Sequence, residues 1–291
     1  MQRLGFIGAG TVGTALARRL SERGYPVVAV YSRSPASAER LAAAVTGCEV
    51  GTSSQAVADA TDLVFITTPD DAIGPVAAEV RWSPGQSVVH CSGADSVDTL
   101  EPARKLGARV GAFHPLQTFA SVEQAIANIA GSTFALEAEE PLLGTLREMA
   151  RALDGHTIEL KAGDKVLYHA AAVIACNYLV TLVKLSTDLW QVFGVPPDEA
   201  ARDLLPLLRG TIANITRLGI PQCLTGPIAR GDTGTITKHL RALEKAAPGV
   251  LPTYRDLGRQ TVPIALAKGR IDQRQADALL ALLKDNPQVQ A

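Results

Sequence analysis

Over the first 160 residues, short apolar runs alternate with longer stretches in which apolar positions recur every three or four residues. Leu4-Gly5-Phe6-Ile7 ends in Gly8, and Thr14 to Arg23 has the Ala/Leu spacing of an amphipathic helix. Gly24-Tyr25-Pro26 stops that helix, and Val27-Val28-Ala29-Val30-Tyr31 follows as a β-branched run. The same alternation continues through Leu63–Thr67, Ser87–Cys91 and Arg109–Phe113, separated by helical patterns at Ser37–Thr46, Ser53–Asp59, Ala72–Val80 and Ser96–Lys105. Thr133–Leu136, a helix from Pro141 to Leu153 and His156–Leu160 close the series. Repeated strand–helix units predict a mostly parallel sheet with helices on both faces.

Beyond Gly163 the strand pattern stops. Asp164–Phe193, Pro197–Leu218, Thr233–Ala246, Leu251–Ala267 and Asp272–Lys284 all have helical spacing, punctuated by Gly and Pro. The expected fold class is therefore α/β, with a doubly wound Rossmann domain over residues 1–160 and an all-α domain over residues 161–291.

Composition narrows the function. With 291 residues, 47% of them hydrophobic, the chain can bury a large core without disulfides, which excludes a disordered or stapled scaffold. Its net charge of −1 argues against a nucleic-acid partner. That total conceals an asymmetry: residues 1–160 hold 12 Lys+Arg against 18 Asp+Glu, and residues 161–291 hold 16 against 11. A positive helical half suits capture of an anionic small molecule, although solvated helix faces give the same sum. The four cysteines are widely spaced, as expected of reduced thiols. The N-terminus lacks a signal-peptide pattern, and the apolar stretch Ala170–Val183 is too short to cross a bilayer. A cytoplasmic protein with no membrane association is the expectation.

Gly8-Ala9-Gly10-Thr11-Val12-Gly13 places G-x-G-x-x-G between a predicted strand and a predicted helix, the context a dinucleotide site requires. The first Gly permits a tight turn, the second lets the backbone approach a pyrophosphate, and the third lets helix and strand pack closely. The second strand ends in Ser32-Arg33-Ser34, where an NAD site would carry an acidic residue. A guanidinium flanked by hydroxyls suits a 2′-phosphate, so the expected cofactor is NADP(H), with Arg40 able to assist. The loops Thr67-Thr68-Pro69-Asp70-Asp71 and His90-Cys91-Ser92-Gly93-Ala94 follow later strands and should border the cofactor. Asp70 and Asp71 suit helix capping equally well.

With His114-Pro115-Leu116-Gln117-Thr118-Phe119, Asp164 to Leu179 and Leu224 to Asp232 added to these motifs, the chain resembles the bacterial Rossmann-like oxidoreductases with a C-terminal domain of unknown function 2520. Wider relatives include 3-hydroxyacid dehydrogenases, pyrroline-5-carboxylate reductases, ketopantoate reductases and prephenate dehydrogenases. The resemblance implies an oxidoreductase that dimerises through its helical domain, with ketopantoate reduction as one candidate reaction.

Reducing a carbonyl or imine requires a proton donor beside the reacting atom. Lys165 and His169 fall one helical turn apart and can address one atom, whereas Asn177 lies about 18 Å farther along the same predicted helix. Lys165 or His169 is expected to supply the proton, and Asn177 to orient substrate or nicotinamide. The pair resembles the Lys and Asn one turn apart in 3-hydroxyacid dehydrogenases, with His in place of Asn. Ser92, His114 and Gln117 are candidate substrate contacts, although His114-Pro115 also suits a structural loop. Arg230 is a candidate carboxylate clamp beside Asp232, an expected N-cap. The competing reading is a non-catalytic NADPH sensor, which would need no proton donor.

Overall fold

The computed structural model describes residues 1–284. The chain divides into two compact units, Met1–Asn177 and Tyr178–Ala291. The first opens with β1 (Leu4–Ile7), α1 (Thr11–Glu22), β2 (Val27–Tyr31), α2 (Pro35–Ala43), β3 (Glu49–Val50), α3 (Ser54–Ala60), β4 (Leu63–Ile66), α4 (Asp70–Glu79) and β5 (Ser87–His90). It continues with α5 (Glu101–Lys105), β6 (Arg109–Leu116), α6 (Val122–Asn128), β7 (Thr133–Ala138), α7 (Leu142–Ala152), β8 (His156–Glu159) and α8 (Asp164–Ala175). The sheet order is β3-β2-β1-β4-β5-β6-β7-β8. All pairs are parallel except β6 with β7.

The central strands β1, β4 and β5 are buried at every position. That is the reason β1 and β4 lack charged and polar side chains and β5 has Val88 and Val89 between Ser87 and His90: helices cover both faces of the sheet. One face packs Phe6, Phe65, Phe113 and Phe134 in a row across the strands, with successive ring centroids 5.1, 6.0 and 4.6 Å apart. The other face packs Ile7, Ile66, Val88 and Val110 against Ile73 and Leu100.

Three local expectations change. The strand β6 extends through His114 and Pro115 to Leu116, so His114 stands on a strand instead of in a loop. Proline is tolerated there because β5 ends opposite Ala112, leaving Pro115 paired only with Phe134 of β7. The helix α6, capped by the Ser121 hydroxyl on the Gln124 N–H, was not anticipated. The long helix after Gly163 is broken at Cys176, and Asn177 opens a new helix, α9 (Asn177–Gln191). The contact boundary thus falls at Asn177/Tyr178, after α8, instead of at residue 160. The buried Lys165 explains why α8 counts with the sheet: its Nζ donates to the Ser92 carbonyl at 2.5 Å.

The second unit contains α10 (Pro197–Leu218), α11 (Thr233–Ala246), α12 (Leu251–Ala267) and α13 (Gln273–Leu282) after α9. Ile236, Val262, Ala265, Ile271, Leu279 and Leu283 form its core. Asp232 caps α11 as expected, accepting from the Thr235 N–H at 2.9 Å and the Thr235 hydroxyl at 2.7 Å. The helical run Asp164–Gln191, at 28 residues and a mean hydropathy of 1.8, is long and apolar enough to cross a membrane by length and composition. Helix thus continues on both sides of the apolar stretch Ala170–Val183, and the break at Cys176 divides the run into α8 and α9.

Candidate functional site

The nucleotide site forms where β1, β2 and β4 end. Gly8 turns the chain with a φ of 105°, and a Cβ there would lie 2.7 Å from the Thr67 backbone. A Cβ at Gly13 would come within 2.7 Å of the Gly8 carbonyl. A Cβ at Gly10 would meet nothing within 4 Å. The three glycines thus divide as a dinucleotide turn requires: two permit close backbone packing, and the middle one faces open space at the start of α1. Thr67 ties the turn to β4, its hydroxyl donating to the Gly8 carbonyl at 2.7 Å.

A cavity of about 530 Å³ adjoins this turn, lined by Gly8, Ala9 and Gly10, by Ser32, Arg33 and Ser34, and by Thr68 and Pro69. Thr67 also lines it, as its loop was expected to, and sequence reasoning missed Tyr31, Ser37, Ser54 and Val76. The Ser37 hydroxyl donates to the Ser34 hydroxyl at 3.1 Å and accepts from Arg40 at 2.9 Å. Arg40 therefore acts on this wall through Ser37. The Thr68 hydroxyl is buried without a hydrogen-bond partner, a polar atom that a bound nucleotide could satisfy. Thr11 opens α1, Val12 packs against the core, and neither Gly93 nor Ser92 lines this cavity. Asp70 opens α4 without a side-chain cap hydrogen bond.

A second group of side chains lies where β5 and β6 meet α8. Lys165 is 1% exposed. Burial lowers its ammonium from the ordinary 10.5 to about 8, opposed above all by the negative charge of Glu137 and further by Asp95 and Asp70. One turn along, the His169 ring closes on Gly93, where a Cβ would lie 2.7 Å from His169 and 2.8 Å from His114 Nε2. His114 Nδ1 is 2.8 Å from the Tyr168 hydroxyl, and its ring is edge-on to His169 with centroids 6.3 Å apart. Burial and the charge of Lys165 hold His114 down at about 4, and burial pushes Tyr168 up to about 12. Both are therefore uncharged near neutral pH, while Lys165 titrates close to it.

Lys165, His169 and His114 thus come together, while Gly93, expected at the cofactor, lies against the two histidines instead, and Tyr168 joins them unforeseen. Its signal was its place between the two polar helix residues. The Ser92 hydroxyl is already engaged, accepting from the Ala94 and Asp95 N–H groups at 3.3 and 3.0 Å. Gln117 is exposed and its side chain turns back to accept from the Thr118 N–H. Asn177 is exposed beyond the break at Cys176. Its expected place on the same helix as Lys165 is corrected. Arg230 is exposed at the end of a 3-10 turn in the second unit.

Residues 3–93 match the family model described as NADP oxidoreductase, coenzyme F420-dependent, and residues 132–261 match the domain of unknown function 2520. The chain is an NADP oxidoreductase. No curated protein matches it. Among solved structures, this NADP oxidoreductase is similar to an inferred NADP oxidoreductase of Bacteroides fragilis, with 27% identity over 90% of this chain and 98% of that one and a TM-score of 0.71. It shares the fold of a reductive aminase from Aspergillus terreus solved with NADPH and ethyl-5-oxohexanoate (18% identity, 97% and 92% coverage, TM-score 0.61). It also shares that of a 1-pyrroline-5-carboxylate reductase from Streptococcus pyogenes (16% identity, 96% and 98% coverage, TM-score 0.61). The cofactor is NADP(H), and the cavity beside the glycine turn has the donors to hold it.

Proposed function

We propose that the protein is an NADPH-dependent reductase of a small carboxylate-bearing carbonyl or imine, with Lys165 as its proton donor. The observation that carries this reading is the buried Lys165 ammonium beside His114, Tyr168 and His169. Lys165 is bonded to the loop after β5, the strand next to β4 of the nucleotide cavity, and His114 stands on the following strand, β6. The bound nicotinamide supplies hydride. The chain supplies the rest of the chemistry. Lys165 spends one N–H on the Ser92 carbonyl, leaving two for an oxygen or nitrogen that gains electrons. A neutral His114 paired with a neutral Tyr168 can donate a hydrogen bond to substrate without introducing a competing charge. The active form is proposed to be a homodimer built through the helical half.

The fold shared with a reductive aminase and a pyrroline-5-carboxylate reductase supports testing cyclic imines beside ketopantoate and other 2-oxoacids as substrate candidates. A panel of these acids, assayed by NADPH oxidation, should give turnover with at least one. That turnover should fall by about 100-fold or more in Lys165→Met, within the range general-acid groups contribute. Its reductive rate should also decline as pH rises through about 8, where the ammonium is lost. Tight NADPH binding without turnover of any member would sink the reading.

A further inference from the structure

Glu137 is 6% exposed on β7, in a stretch that no motif marks. Both carboxylate oxygens are engaged. One accepts from the Ser96 hydroxyl at 2.9 Å and the other from the Val97 N–H at 3.1 Å. Ser96 and Val97 end the loop that begins at Ser92, and the Ser92 carbonyl receives the Lys165 ammonium. The interior of that loop is fastened to the Ser92 hydroxyl through Ala94 and Asp95. A buried carboxylate thus fixes one end of the loop whose other end fixes the lysine.

The charges facing Lys165 single out the same residue. From β5 and its loop come His90, Cys91 and Asp95; from β6, His114; from α4, Asp70; and from β7, Glu137. Its own helix adds Tyr168 and His169. Burial holds His90 near 3 and His114 near 4, and it pushes Cys91 and Tyr168 up to about 12. Those four are neutral at pH 8. The carboxylates of Glu137, Asp95 and Asp70 remain, and Glu137 exerts the largest opposing effect on the lysine.

We propose that Glu137 is the positioning residue of this site: it clamps the Ser92–Val97 loop under Lys165 and supplies the buried counter-charge that keeps the lysine able to carry a proton. This rests on Lys165 being the proton donor, but its test needs no substrate. The titration of Lys165 can be followed by NMR of the lysine side-chain nitrogens, with the Lys165→Met spectrum assigning the resonance. In Glu137→Gln the midpoint should fall by about one pH unit, the lower end of what an adjacent opposite charge contributes. In Glu139→Gln, which removes an exposed charge from the next outward position, it should stay within about 0.2 units. An unchanged midpoint in folded Glu137→Gln, or an equal fall in both variants, overturns the proposal.

Should Glu137→Gln fail to fold, the wild-type protein still decides the matter. The Val97 amide should exchange at least about 100-fold more slowly than a free peptide, because it donates to a buried carboxylate. Rapid exchange there overturns the clamp. A protein that reduced none of the proposed acids while displaying the shifted titration would lose its assigned reaction and keep this coupling. A reductase without the shift would do the reverse.

Discussion

A lysine with 1% exposure needs a compensating reason to be there. Its shift from 10.5 to about 8 corresponds to about 3 kcal/mol of preference for the neutral form, at 1.36 kcal/mol per unit. The sign follows from linkage. Between pH 8 and 10.5 the unfolded chain keeps this proton and the folded chain does not, so the group's contribution to stability rises with pH across that window. Wild-type stability measured against Lys165→Met by urea unfolding should therefore improve by about 2 to 3 kcal/mol from pH 8 towards 10.5. A constant difference would mean that the ammonium is not shifted by burial. The helix spacing of Lys165 and His169 made this pair legible in the sequence, because residues four apart share a face. Glu137 was not legible: a carboxylate becomes a clamp only through partners forty residues away, brought to it by the β6–β7 pairing. Nor was the break at Cys176, which has neither Gly nor Pro to announce it.

At the scale of elements, the parallel strands were legible because strands covered on both faces are rich in apolar residues. The end of β6 was not, since a proline normally argues against a strand and only the short reach of β5 permits it. The turn after β2 makes a sharper claim. Arg33 lines the cavity beside Ser32, Ser34 and Ser37, and Arg40 braces Ser37. A guanidinium flanked by hydroxyls suits what distinguishes NADPH from NADH, the 2′-phosphate. Arg33→Ala should weaken NADPH binding by about 10- to 100-fold, the value of one or two charge-assisted hydrogen bonds. NADH binding, measured by the same fluorescence titration, should change less than about twofold. Equal losses would place Arg33 outside the 2′-phosphate site.

The whole molecule poses the problem of uncovered apolar surface. In α10, 22 residues long, only Ala200 is buried. Leu205, Ile212 and Ile215 are 42%, 55% and 43% exposed, and Leu207 and Leu218 are 66% and 48% exposed. At about 100° per residue, Leu205 and Ile212 share one stripe, Leu207 and Leu218 share another on nearly the opposite side, and Ile215 lies between the two. Helices this long gain most of their stability from a covered apolar face, and α10 has almost none covered within one chain. The proposed second copy supplies that cover. The protein should sediment at twice the monomer mass, and Leu207→Glu and Ile212→Glu should each weaken association by about 30-fold or more, since each buries a charge in place of an apolar side chain. Testing both separates the two stripes: an effect at one position alone would limit the interface to that side. The run Asp164–Gln191 offers lipid as a competing cover. A wild-type protein that stays monomeric and floats with lipid vesicles would replace the dimer with a membrane surface. A dimer that fails to float and falls apart on either substitution would identify the partner as a second copy of this chain.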